Sequence, residues 1–266
     1  SDTTYEADIN TLDLQVGGAV TEYLEIIFGG LYEKDTFFKK DNSTNLVDID
    51  KEAESESIFT LATFSFGKKL SLTLGTRYDD FSDYGSASTW SALLEKDLLD
   101  NITLSTRYST SFSPPQANDL YGMWGNPNLT PEKADSWEVG VISNLSQAVS
   151  LRLSYFDTEF EDLIEWSGFT TANVGSARSK GVETSMEANR GNYETRLSFS
   201  YLDAVNSNTS ERLLRRPRIL GDLVIKHASD MHTLGLGLKY LHDVMDIDGA
   251  TFARISGDDY AILRLF

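Results

Sequence analysis

From Lys69 to Asp79 two chemistries alternate without a break. Leu70, Leu72, Leu74, Thr76 and Tyr78 share one parity; Ser71, Thr73, Gly75, Arg77 and Asp79 share the other. Successive side chains of a β-strand point to opposite faces, so the run predicts a strand with one greasy and one wet side. The same pattern returns along the chain. Leu24, Ile26, Phe28, Gly30 and Tyr32 oppose Glu25, Gly29 and Glu33, with Ile27 and Leu31 breaking the rule. Ile102 to Thr110, Leu151 to Tyr155, Val182 to Ala188, Tyr193 to Tyr201 and Leu234 to Tyr240 repeat it. A helix needs apolar positions three and four apart, and none of these segments supplies them. The chain is all-β.

The connections narrow the fold further. Tight links are expected near Gly67–Lys69, Asp97–Asn101, Leu145–Ala148, Arg190–Asn192 and Ala228–Met231. Longer polar links lie between them, at Thr36–Ser55, Ser113–Lys133, Asp203–Arg215 and Asp243–Asp258, with Asp80–Ser86 a shorter one. Tight-then-long is the rhythm of an antiparallel up-and-down transmembrane β-barrel, whose short turns face the periplasm and long loops the exterior. Tyr32, Tyr78, Tyr108, Tyr155, Tyr201 and Tyr240 fall near strand ends, as an interfacial aromatic girdle requires. On this reading Leu70, Leu72, Leu151, Leu153, Leu234 and Leu236 touch lipid, while Arg77, Arg107, Arg152, Glu183, Glu187, Glu194 and Arg196 look into a wet interior. The competing architecture is a soluble β-rich adhesin or binding module. It would bury the Leu-rich faces in a dry core between two sheets.

Composition permits the barrel. Of 266 residues, 40% are hydrophobic, and the mean hydropathy of −0.29 looks soluble because only alternate residues of a barrel meet lipid. The formal net charge of −18 argues against nucleic acid, which recruits basic surfaces. Asp48, Asp50, Glu52, Glu54 and Glu56 form an acidic run that Ca²⁺ could use, but without compact ligand spacing they read as a solvated loop. There is no Cys, hence no disulfide or thiolate metal site, and no cofactor is expected. His227, His232 and His242 lack the nucleophile and orienting partners that a hydrolase would place beside them. No enzymatic activity is expected. The chain opens at Ser1 in polar sequence without a leader, and an outer-membrane protein needs one, so processing or truncation is expected.

Four segments carry a family resemblance. Tyr121 to Lys133 reads Tyr-Gly-Met-Trp-Gly-Asn-Pro-Asn-Leu-Thr-Pro-Glu-Lys and is followed by Trp137 and Glu138. It resembles the N-P-N-L-x-P-E segment of TonB-dependent outer-membrane receptors. Arg107 to Pro115, Asn173 to Glu183 and Leu213 to Pro217 resemble three further segments of the same family, in its order and spacing. Within the family the combination looks most like the vitamin B12 (cobalamin) receptor branch, with the ferric-siderophore receptors as the alternative. The resemblance implies a 22-stranded barrel in the Gram-negative outer membrane, filled by an N-terminal plug that contacts TonB, importing a scarce small molecule. This chain departs from the family in two ways. Nothing resembles a plug or TonB box, and about 14 strand-like segments can be counted. A partial barrel is therefore expected, a complete 14-stranded one being the alternative. The terminal Phe266 suits an outer-membrane strand, although Arg264 sits where the same face should be apolar.

Asn126, Pro127, Asn128, Leu129, Pro131 and Glu132 are read as loop-shaping residues, since Pro fixes φ and Asn bonds back to nearby backbone. Gly181, beside Val182 and Glu183, should mark a strand bend, as should Gly175. Arg215 and Arg216, before Pro217, can pair with interior carboxylates or stay exposed. Candidate ligand contacts are the loop aromatics and their neighbour: Tyr121, Met123, Trp124, Trp166 and Phe169. Flat rings offer large contact area to a macrocycle or chelate. Packing of loop against loop is the equal alternative.

Overall fold

The computed structural model describes residues 3–44, 46–122, 124–167, 170–251 and 253–266. The chain is a meander. Its strands are β1 (Thr3–Thr21), β2 (Leu24–Asp41), β3 (Leu46–Phe66), β4 (Leu70–Phe81), β5 (Gly85–Leu99) and β6 (Ile102–Ser113). A short helix α1 (Ala117–Tyr121) precedes β7 (Glu132–Ser146), β8 (Val149–Ser167), β9 (Thr170–Arg190), β10 (Tyr193–Asn206), β11 (Ile219–Ala228) and β12 (Thr233–His242). After these come β13 (Met245–Ile247), β14 (Arg254–Ser256) and β15 (Tyr260–Leu265). Thirteen strands hydrogen-bond in chain order from β1 to β12 and then β15, with β1 and β15 as the end members, and β13 pairs with β14 separately. This is the up-and-down antiparallel architecture that the loop rhythm predicts. No described helix is long and apolar enough to cross a membrane.

Two compact units divide the chain. The first comprises residues 1–93, 108–135 and 160–176. In it, β1 to β4 register so that even-numbered residues share a face: Leu14, Gly30, Ile58 and Tyr78 form one row across four strands. Leu14 is 66% exposed and Ile58 55%, whereas Asp79 on the opposite parity is 1% exposed. A soluble core would reverse that order. Arg77 holds Asp79 with Nη2 at 2.7 Å and Nε at 2.8 Å, and Ser57 Oγ donates to the same carboxylate oxygen at 2.6 Å. The irregular Ile27 and Leu31 lie on this inner parity with Phe59 and Leu61, beside Arg77, around one shallow depression.

One expected loop is absent here. Thr36–Ser55, read as a long polar link, is instead the far end of β2 and β3, with a turn at residues 42–44 between them. Strands of 18 and 21 residues exceed the ~9–11 that cross a bilayer. Along these outer halves charged residues occupy both parities, and the hydrophobic alternation that marks a strand disappears. The acidic run lies along β3, where Glu52 and Glu54 share Lys34 at 2.8 and 3.4 Å. Among the described residues no cluster of three or more His, Asp or Glu is arranged to hold a metal ion.

The second unit comprises residues 94–107, 136–159 and 177–266. Its rows are regular. Met186, Leu197, Leu223, Leu238 and Leu263 face the same way at one level of β9, β10, β11, β12 and β15. Tyr193 and His227, their rings 4.7 Å apart, close this band at the short-turn end, and Tyr201 and Tyr240 lie toward the loops. Leu153 and Leu236 are 48% and 36% exposed, while the intervening Ser154 is buried. Gly237, on the inner parity, is likewise buried. Leu72 in the first unit is half-buried. The dry two-sheet core of an adhesin does not form on these leucines. Among the described residues the buried apolar side chains are Ile49, Leu120, Leu129, Ala177 and Ala204, all outside the predicted lipid rows. Arg264 registers with Gly237 on the inner parity, whereas Leu263 and Leu265 take the outer one.

Candidate functional site

In the first unit the β6–β7 connection folds back on itself through α1. Leu120 and Leu129 are its buried anchors, each 5% exposed. The segment is then tied to the β8–β9 hairpin by polar bonds. Asn126 Nδ2 donates to the Thr171 carbonyl at 3.1 Å, and Thr170 Oγ1 donates to the Trp124 carbonyl at 3.0 Å. Thr171 Oγ1 reaches the Asp119 carbonyl at 2.8 Å. Asn173 behaves like a strand neighbour: its Oδ1 accepts from Thr130 N–H and its Nδ2 donates to the Thr130 carbonyl, both at 2.9 Å. The same Nδ2 caps the carbonyl of Asp162 at 2.6 Å. Asp162 has φ 58°, the left-handed region that a short polar side chain tolerates best. Glu132 accepts from Ile164 N–H at 2.7 Å, completing the tie.

The aromatic side of this segment is built around Tyr121. Its hydroxyl donates to Asp83 Oδ2 at 3.3 Å, and Lys51 Nζ sits 4.9 Å from its ring centroid. Burial, with the Asp83 charge adding to it, raises the phenol's pKa, so Tyr121 remains a hydrogen-bond donor at neutral pH. Tyr84 is raised in the same way by burial and by Asp83. Phe81 lies between Tyr84 and Phe112, with centroids 5.3 and 5.4 Å away. The Trp124 residue is 53% exposed. Met123 and Phe169 lie outside the described residues, as does the side chain of Trp166, which belongs to β8.

In the second unit the β10–β11 and β12–β15 connections are held together by Arg–Asp ion pairs. Arg212 Nη1 meets Asp243 Oδ1 at 2.7 Å and Arg212 Nη2 donates to the Asp243 carbonyl at 2.8 Å. Arg218 approaches the other Asp243 oxygen at 3.4 Å and Asp203 at 3.7 Å. The Arg212 guanidinium holds the Asp243 carboxyl below the usual carboxylate range, with Arg218 assisting. Arg215, at φ 57°, donates from Nε to Asp246 Oδ1 at 3.1 Å, so it pairs with a loop carboxylate. Arg216 is exposed and Pro217 half-buried. The sequence motif drew attention to the adjacent pair Arg215 and Arg216, but the convergent pair is Arg212 and Arg218, six positions apart. Only the fold brings them together. His242 Nδ1 lies 2.6 Å from Asp259, whose carboxyl it holds below the usual range.

The remaining motif residues are placed as follows. Asn128 N–H is bonded to Asn126 Oδ1 at 3.0 Å, an Asx turn around Pro127. Pro131 leads into β7. Gly181 is buried, and a Cβ there would run into the Tyr201 carbonyl oxygen and the Phe156 ring. Val182 registers with Tyr201 on the outer parity and Glu183 with Ser200 on the inner.

This fold is shared with known proteins. Residues 1–263 match the family described as TonB dependent receptor-like, β-barrel. The chain belongs to this family. Among solved structures it is similar to a G324V mutant of the ferric enterobactin receptor PfeA of Pseudomonas aeruginosa, at 18% identity and TM-score 0.78, covering 98% of this chain and 46% of that one. P. aeruginosa FpvA bound to heterologous pyoverdines gives 16% identity and TM-score 0.79, over 99% and 42%. The siderophore receptor PirA of Acinetobacter baumannii gives 14% and 0.76, over 98% and 48%. The chain thus spans less than half the length of each. At these identities the likeness establishes the shared fold of this TonB-dependent receptor barrel.

Proposed function

We propose that this chain forms part of the translocation barrel of an outer-membrane receptor that imports a ferric chelate with energy relayed by TonB. One observation carries the membrane part of this reading. Apolar rows are exposed on one parity while Asp79, Ser57 and Ser154 are buried on the other, the polarity of a sheet that meets hydrocarbon outside and a wet interior inside. The apolar inner depression at Ile27, Leu31, Phe59 and Leu61 suits a protein partner in that interior, and a plug domain fits the role. Family membership supports transport. The neighbours named above are an enterobactin receptor, a pyoverdine-bound protein and a siderophore receptor, which favours an iron chelate over cobalamin, the ligand that the sequence motifs alone suggest. Tyr121 and Trp124 are the proposed ligand-facing rings, with the Asn126 to Glu132 segment as their rigid support.

Uptake decides between the ligands. A deletion strain carrying the full-length protein should regain TonB-dependent uptake of a ferric catecholate or hydroxamate and remain unchanged in cobalamin uptake. Gain of cobalamin uptake alone would restore the motif-based reading. Replacing both Tyr121 and Trp124 by Ala should weaken chelate binding by at least tenfold while leaving barrel assembly intact.

A further inference from the structure

The β6–β7 segment closes on itself between Asp119 and Asn126. Asn126 N–H donates to the Asp119 carbonyl at 2.7 Å, and inside that ring Gly125 N–H donates to the Gly122 carbonyl at 2.8 Å. A Cβ on Gly125 would lie 2.7 Å from the carbonyl carbon and oxygen of Leu120, so the closure has no room for a side chain there. Tyr121 and Trp124 ride on this loop. One residue at the start of β9 then takes its corners. Thr171 donates its hydroxyl to the Asp119 carbonyl at 2.8 Å and its N–H to the Trp124 carbonyl at 3.2 Å, and its own carbonyl accepts from Asn126 Nδ2 at 3.1 Å. Two residues further on, the Asn173 side chain serves both backbone groups of Thr130 and the Asp162 carbonyl of β8. The tip of the β8–β9 hairpin, residues 160–176, falls in the first unit with this segment, whereas the rest of both strands falls in the second.

We infer that Thr171 and Asn173 are positioning residues for the ligand-facing rings: they fasten the loop from Asp119 to Thr130 to the start of β9, and loop and strand start open only together. The residue types carry this. Val would fill the space of Thr171 and suit a strand equally well, so β9 itself has no use for the hydroxyl, whose bond goes to the loop. The same holds for the Asn173 amide. Opening is cooperative because the fastenings share their atoms. The Trp124 carbonyl cannot leave Thr171 without straining the Asp119 and Asn126 bonds that the same residue makes. The loop is thereby ordered before a ligand arrives, and a site ordered in advance binds more tightly than one that must be ordered by its ligand.

The positioning role rests on the ligand reading above, the fastening does not, and the test separates them. Amide exchange of the full-length protein in detergent is read residue by residue through fragmentation mass spectrometry. The amides of Asn126, Leu129, Thr130 and Thr171 should share one opening rate. Thr171→Val should lower the protection of all four by a common factor of about three- to tenfold, the loss of one net hydrogen bond. Asn173→Leu should do the same, and Thr171→Ser should restore the protection of the unaltered protein. With both Thr171→Val and Asn173→Leu, association of ferric enterobactin or of a ferric hydroxamate should slow by at least about fivefold, because the competent form is scarcer. Dissociation should change less, whereas loss of the Tyr121 and Trp124 rings should speed it. Different factors at the four amides, or no rescue by Ser, would overturn the fastening. A common loss of protection with association unchanged would overturn the positioning role. If the ring replacements also left binding of both chelates untouched, the ligand reading itself would fall while the fastening stood.

Discussion

Asp79 shows at the scale of one residue how this chain inverts the usual order of a fold. Its side chain is 2% exposed, and Arg77 and Ser57 share one of its oxygens while Oδ2 has no hydrogen-bond partner among the described residues. Removing the partner of a buried carboxylate leaves that charge less compensated, and because the Arg77 side chain is itself 39% exposed and Ser57 still donates to Asp79, Arg77→Ala should cost about 1–3 kcal/mol. Urea unfolding of the protein refolded into vesicles measures this, and Arg77→Lys should recover part of it. Gly181→Ala makes a second case. The added methyl meets the backbone carbonyl of Tyr201, which no rotamer change relieves. A loss of about 1–3 kcal/mol is expected, whereas Gly221→Ala, whose Cβ would meet only Tyr240 Cβ at 4.0 Å, should be nearly silent. Gly181 was read from the sequence as a strand bend, whereas it sits in regular register with Leu202 and is required by the close approach of the Tyr201 carbonyl. The burial of Asp79 was not legible in the sequence, because local parity gives its inward face but says nothing of Ser57, twenty-two residues away.

Among the elements, the β13–β14 hairpin depends most on charge. Asp243 is held low in pKa by Arg212, Asp246 by the Ile247 N–H and then Arg215, and Asp259 by His242. Each carboxyl thus has a folded pKa below its unfolded value. The stability they supply is present above the unfolded carboxylate pKa of about 3.9 and is lost as pH falls through the lower folded values. Amide exchange across residues 245–256 should accelerate in acid, from about pH 4 downward, before the strands β10 to β12 lose protection. Arg212→Ala should bring that acceleration to neutral pH. Elements were read well wherever one face is apolar and the other polar: β4, β10 and β12 show this in every second residue. The outer halves of β2 and β3 were misread as loop because Lys39, Lys40, Asp50 and Glu52 leave no parity difference when both faces are wet. The clasp of Asn173 on Thr130 was equally hidden. Two asparagines in separate motifs carry no sign that one pairs with the other's loop across forty-three residues.

On the proposed membrane reading the whole molecule has two solvents, and substitutions of one chemistry should report which solvent each position meets. Leu238 lies in the middle row of the second unit, between the Tyr193 and Tyr240 ends, 40% exposed on the outer parity. Ser198 sits on the inner parity opposite Asp222. An arginine at the bilayer midplane costs about 2–4 kcal/mol and near the interface about 0–1. Leu238→Arg should therefore destabilise the protein in lipid by the larger amount and Tyr201→Arg by the smaller. Ser198→Arg should be neutral or slightly favourable, since Asp222 faces it across the pair. Equilibrium unfolding in vesicles distinguishes the three. A soluble sandwich would give a different order, because each exposed position would then accept arginine at similar small cost. The size of the gap between Leu238→Arg and Ser198→Arg thus measures how completely hydrocarbon, and not water, covers the outer rows.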